Sequence, residues 1–445
     1  MHAKINQKHY ELEAELNCYE QQIETNQDQW KKSLENRLTT KIGCKLEEQL
    51  QKYEVNGMEF KKACHELEHV RELFYLFNTL ESIISAASLF HYHHYQLVQI
   101  IDNNKNNCEL NLRYKALTDQ DMKNMVAYGI QNNRTLTTLD LSHNQIGPTG
   151  AKYLSDALRI NTTTIKVDLS ENQIGDEGVQ HLSDALRINK VLTTLILVWN
   201  DIRSEGAQHL GDLLRVNTTL TTLDLSHNEI GLQGTQNLSD ALRINTTLTT
   251  LDLSSNQIGP QGVQYLSDAL QTNTALTTLN ISWNEIGVQG TQHLSDALRI
   301  TTTLTILDLS GNQIGNQGIQ YISDTLRINA ILTILDLSHN QIQSQGAQYL
   351  SDVLRINTTL IRLNLSWNRI GIQGAQYLSD ALRTNKTLTT LDLSHNQIGS
   401  QGTQYLCDAL RINTTLATLY LSDNQIGFQA VQYLSDVFRT NTVGY

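Results

Sequence analysis

The chain has 445 residues, 40% hydrophobic, 18% charged and 6% aromatic, with 25 Gly but only 2 Pro. Its 45 Asp and Glu against 33 Lys and Arg leave a net charge of -12, which excludes a nonspecific nucleic-acid binder, since that needs a basic face. Met1 to Tyr10 is polar, and the most apolar stretch, Ile83 to Ile101, contains His91, His93 and His94, so neither a secretory leader nor a membrane span is expected and a cytoplasmic protein is.

Residues 1–107 read as an α-helical hairpin or small bundle. Leu12, Leu16, Tyr19, Ile23, Trp30 and Leu34 step by three, four or seven residues. Phe60, Ala63, Leu67, Val70, Phe74 and Phe77 keep the same heptad spacing. Asn56-Gly57 is the break between them. Such helices also suit self-association. Within the second series His65, Glu66, Leu67, Glu68 and His69 spell HExxH, which can bind zinc and activate water when both His face a dry cavity. Glu68 adds a charge inside the motif, and the heptad phase puts His65 and His69 on the solvent side. No metal, cofactor or catalytic residue is therefore expected, with a zinc hydrolase as the remote alternative. The cluster at His91 to Tyr95 reads as a helix-end surface. The five cysteines form no CxxC pair, which fits reduced thiols.

Residues 108–135 form a degenerate leading unit in which Lys115 occupies the place that Asn takes afterwards. From 136 to 445 the period is 28. Asn144, Asn172, Asn200, Asn228, Asn256, Asn284, Asn312, Asn340, Asn368, Asn396 and Asn424 mark eleven units in register. In the first unit Leu139, Asp140, Leu141 and Ser142 alternate as a half-buried strand. Ala151, Leu154 and Leu158 then form one apolar helix stripe. Asn161 is placed where a helix end accepts a left-handed residue. Asn161, Asn217 and Asn245 open Asn-x-Thr sequons, read as repeat chemistry rather than glycan sites. Seven apolar side chains per unit bury roughly 10 to 15 kcal/mol, no more than the cost of ordering 28 residues. One unit should not fold alone; interfaces between units must hold the array.

The strand period places two columns in the groove. The first contains Asp140, Asp168, Asp224, Asp252, Asp308, Asp336, Asp392 and Tyr420, interrupted by Ile196, Asn280 and Asn364. The second, three residues later, runs His143, Glu171, Trp199, His227, Ser255, Trp283, Gly311, His339, Trp367, His395 and Asp423. Every 84 residues a neutral residue replaces the acid and a Trp follows it. Neighbouring carboxylates should repel across strands about 4.8 Å apart, with successive indoles about 14 Å apart. An acidic surface with aromatic anchors suits a protein partner of basic or mixed charge.

The pattern LxxLxLxxNxI, as in Leu136 to Ile146, resembles the leucine-rich repeat of the ribonuclease-inhibitor type, and the array is similar to the repeats of NOD-like receptors. The resemblance implies an α/β horseshoe solenoid with a concave parallel sheet and convex helices. It also implies a structural Asn ladder that binds backbone groups, and binding rather than catalysis. No GxxxxGK[ST] phosphate loop accompanies it. Ran GTPase-activating proteins carry similar arrays, so a GTPase-activating regulator is the alternative. Their acidic C-terminal run has no counterpart at Thr442 to Tyr445.

Overall fold

The computed structural model describes residues 97, 100–101, 103–104, 106–123, 129–130, 133–428, 430 and 432–435. The chain divides into two compact units, 1–95 and 96–445. The N-terminal helical hairpin, its self-association, His65, His69 and the cluster at His91 to Tyr95 lie outside the described residues.

Twelve three-residue strands, from β1 (Glu109–Asn111) and β2 (Thr138–Asp140) to β12 (Thr418–Tyr420), form one parallel sheet in sequence order. The register advances 28 residues per strand, as in Leu139↔Val167, except at the leading unit, where Leu110 pairs with Leu139. From β2 onward the strands alternate with helices of 11 to 13 residues, from Pro148–Ile160 to Gly399–Leu410. Strands stand about 4.8 Å apart and packed helices about 8 to 10 Å. Stacking the two layers therefore bends the array with the sheet on its inner side.

The core follows from period and polarity. Leu136, Leu139, Leu141, Ile146, Ala151, Leu154 and Leu158 are all fully buried, and the following units repeat the set. Leu97 belongs to this same core, as do Leu110, Leu112 and Leu117 of the leading unit. Glycine appears where neighbouring helices approach closely. A Cβ on Gly290 would lie 2.5 Å from Ile286 Cγ2 and 3.1 Å from the Pro260 backbone.

Asn161 departs from its expected conformation. It is extended, with φ −72° and ψ 131°, rather than left-handed. Its side chain explains the difference: Oδ1 accepts the N–H groups of Thr163 and Thr164, and Nδ2 donates to the Ile130 carbonyl of the preceding unit. That geometry turns the chain from helix to strand. It recurs at Asn217 and Asn245, whose Nδ2 groups donate to Leu186 and Leu214. A glycan on any of these buried amides would break the inter-unit bond.

Candidate functional site

The site is built from three side-chain columns, each set by a different piece of local chemistry. The first holds the repeat turns together. Asn284 is fully buried; its Oδ1 accepts the N–H of Asn256 at 2.8 Å and of Ile258 at 3.2 Å. Its Nδ2 donates to the carbonyls of Leu253 at 2.9 Å and Ser282 at 3.0 Å. Asn144 does the same for the leading unit, accepting from Lys115 and Leu117 and donating to Leu112. Each amide thus joins its own strand end to the turn of the unit before it. A buried turn leaves donors and acceptors unpaired, and a short amide offers both kinds.

The second column is acidic and half-buried. Asp140, Asp168, Asp224, Asp252, Asp308, Asp336 and Asp392 are the last residues of their strands. Oδ1 of Asp140 accepts both the backbone N–H of Ser142 at 3.0 Å and its hydroxyl at 2.6 Å. Asp224 and Asp252 repeat this pair of bonds with Ser226 and Ser254. The carboxylates therefore brace the strand ends as well as charging the groove. Burial is the main force pushing the Asp308 carboxyl above its ordinary range, and the charge of Asp336 pushes it further. Asp224 is raised too, chiefly by burial and then by Asp252, against hydrogen bonds from Ser226 that pull it down. The 84-residue change to Asn now has a contact behind it. Asn280 donates to Asp252 Oδ2 at 2.8 Å and Asn364 to Asp336 Oδ2 at 2.7 Å.

One test of this electrostatic reading is Asp308→Asn, an amide already accommodated at Asn280 and Asn364 in the same column. A carboxyl raised in the folded state favours folding while protonated, and that gain is lost as pH rises through its folded value. The variant should therefore melt about 1 to 2 °C higher than the parent chain at pH 7. Below the ordinary carboxylate range the advantage should shrink, because the parent Asp is protonated there in both states. A melting difference independent of pH would remove the electrostatic cause.

The third column does not continue the strand face as its spacing suggested. All eleven residues from His143 to Asp423 have left-handed backbone, with φ between 52° and 68°. The strands end three residues earlier in every unit, including those ending at Ile196 and Tyr420 that lack an Asp-to-Ser bond. The outward turn therefore belongs to the repeat, and the bonds only reinforce it. The column consequently occupies the rim at the C-terminal ends of the strands. Left-handed backbone is an outlier for a bulky side chain, yet it carries Trp199, Trp283 and Trp367, each just over half exposed.

Nor are the indoles isolated anchors. Trp199 stacks on His227 with centroids 4.5 Å apart. Trp367 lies between His339 at 4.9 Å and His395 at 3.7 Å, both nearly parallel to it. Trp283 covers Gly311, where any Cβ would collide with the indole, and so reaches His339 at 5.3 Å. The row ends where His395 Nε2 meets Asp423 Oδ2 at 3.2 Å. Burial holds the His339 imidazole below its ordinary range, against the opposing pull of Asp336, so it stacks in its neutral form at pH 7. At the other end Tyr114 stacks on His143, whose Nδ1 donates to Glu171 at 2.7 Å while Arg113 reaches Nε2 at 2.6 Å. Arginine has only donors, which fixes the tautomer of His143.

Beside the C-terminal part of this row His339, Gln341, Trp367, Arg369, His395 and Asp423 line an open hollow of about 430 Å³. Tyr420 closes the acidic column, half exposed. Spacing alone did not single out Arg369 or Gln341, since both sit on the turn beyond the strand. Among the described residues no helix is long and apolar enough to cross a membrane, and no group of three metal-binding side chains gathers.

The sequence matches the Leucine Rich repeat family in eleven segments, from 132–155 to 413–435. An internalin from Listeria monocytogenes is 20% identical, with a TM-score of 0.45, over 77% of this chain and 87% of that one. The TLR13–ssRNA13 complex gives 22% identity and a TM-score of 0.42, over 66% of this chain and 41% of that one. The actin-binding site 2 of leiomodin-1 gives 22% and 0.27, over 30% and 79%. No curated protein matches the sequence.

Proposed function

We propose that this chain, which belongs to the leucine-rich repeat family, is a non-enzymatic protein-interaction scaffold. It receives a basic or mixed-charge segment of its partner along the acidic sheet and the aromatic rim beside it. The observation that carries the reading is the row of indoles held half exposed on left-handed backbone. The left-handed backbone is shared by every unit at this position; what points to binding is the choice of Trp there, a residue enriched among binding hot spots. Stacking on imidazoles fixes the rings in advance, which lowers the ordering cost of binding.

The acid row supplies charge complementarity. A guanidinium lying along the sheet meets carboxylates at strand spacing, and its charge relieves the repulsion that raises Asp308. Because both faces of Trp367 are covered by imidazoles, it offers its edge to apolar or aliphatic parts of the partner. The 28-residue strand-and-helix unit supports the ribonuclease-inhibitor type, and the absence of a CxxC pair from the sequence supports a reducing, cytoplasmic setting.

Two peptides of equal length, one arginine-rich and one glutamate-rich, test the charge rule when titrated into the full chain and followed by tryptophan fluorescence. The arginine-rich peptide is expected to bind, with affinity falling as salt rises, and the glutamate-rich one is not. Equal binding of the two, or none of the basic peptide, would reject the reading.

A further inference from the structure

We infer that the opposite flank of the array, at the N-terminal ends of the strands, is a surface on which a second copy of this chain packs. At the end of each helix one residue projects outward, and among the described residues eight of ten such positions are large and aliphatic. The row runs from Ile160 through Val216, Ile244, Ile300 and Ile328 to Ile412, every one of these 51 to 59% exposed. Packing within the fold does not demand this. Thr272 and Thr384 occupy the same position and simply donate their hydroxyls to the carbonyls of Ala269 and Ala381.

Area and charge select the occupant. Each aliphatic side chain exposes roughly 100 Å², so the row presents about 800 Å², the share one partner buries in a standard interface and more than a monomer usually leaves bare. The charges beside it are already matched. Arg159 and Arg327 pair with Asp156 and Asp324 one turn back at 3.9 and 3.8 Å, and Arg243 bridges Asp240 and Asp268. A strongly charged partner gains little on such a flank, whereas a second copy brings an identical apolar row.

The sequence of the row is also compatible with a two-fold axis, which makes an interface of one patch with itself. Turned end for end about its midpoint, the row sets Ile160 against Ile412, Val216 against Ile356 and Ile244 against Ile328. Both Thr then meet an Ile rather than each other.

Sedimentation of the full chain at micromolar concentration tests this. The parent chain is expected to sediment as a dimer. The Ile244→Lys, Ile328→Lys double variant is expected to sediment as a monomer with an unchanged circular dichroism spectrum, because both side chains face water within one copy of the fold. A monomeric parent chain, or a variant that stays dimeric, would overturn the inference. As a second reading, Ile244→Cys chains mixed with Ile328→Cys chains should form a 244–328 disulfide, identified by peptide mapping. Its absence from an intact dimer would overturn it equally. Trp283→Ala and Trp367→Ala should leave the dimer unchanged, which separates this flank from the partner groove.

Discussion

Asn284→Ala is expected to lose about 4 kcal/mol or more of stability, the largest effect of any single substitution considered. The fully buried amide satisfies the N–H groups of Asn256 and Ile258 and the carbonyls of Leu253 and Ser282. Alanine leaves the Asn256 and Ile258 N–H groups and the Leu253 carbonyl without that side-chain partner in a place water does not reach, at about 1 to 3 kcal/mol for each group left unsatisfied. The Ser282 carbonyl still accepts the N–H of Ser255. Three of the groups belong to the preceding unit, so the loss falls on an interface between modules rather than inside one. In an array whose stability resides in such interfaces, the two halves should also begin to unfold separately. Denaturant titration followed by circular dichroism checks both points: a lower midpoint and a shallower or split transition are expected. A variant that unfolds within about 1 kcal/mol of the parent would mean that these bonds do not hold the turns.

The second large effect concerns binding. Replacing both Trp283 and Trp367 with Ala is expected to weaken the arginine-rich peptide by on the order of 1,000-fold, since central Trp residues typically cost 2 kcal/mol or more each when truncated. Both indoles are over half exposed and alanine faces the same left-handed backbone, so the fold should persist, with a stability loss limited to the three ring contacts removed, about 0.5 to 1.5 kcal/mol each. Isothermal titration gives the affinity where the variant has lost its fluorescent reporters. Unchanged affinity would remove the rim from the site and leave only the acidic column.

What could be read directly from the residues was whatever burial imposes. Leu139 and Leu141 alternate, Ala151, Leu154 and Leu158 recur at helical spacing, and the whole returns after 28 residues, because a solenoid core requires all three periods together. The rim was misplaced for an equally physical reason. Hydrophobic alternation cannot report where a strand stops; it stops at Asp140, where the carboxylate bonds to Ser142 two residues on, and in register at Ile196, where no such bond forms. Asp followed by Ser at that spacing, and a lone Gly311 in a column of bulky residues, were the available signals. The 84-residue alternation of acid and amide was visible, but its cause was not. Only the contacts of Asn280 and Asn364 with the preceding carboxylates reveal it. The aliphatic flank escaped notice because one exposed Ile at a helix end is ordinary. It becomes a feature only when the units are stacked.

The claim at the centre is that a cationic segment seats on the rim formed by Trp283 and Trp367. Fluorine NMR of the full chain carrying 5-fluorotryptophan resolves its four indoles one by one during titration with the arginine-rich peptide. The resonances of Trp283 and Trp367, assigned by single Phe substitutions, are expected to shift and saturate together while Trp30 stays where it is. Binding that leaves both of those resonances unmoved would contradict the claim.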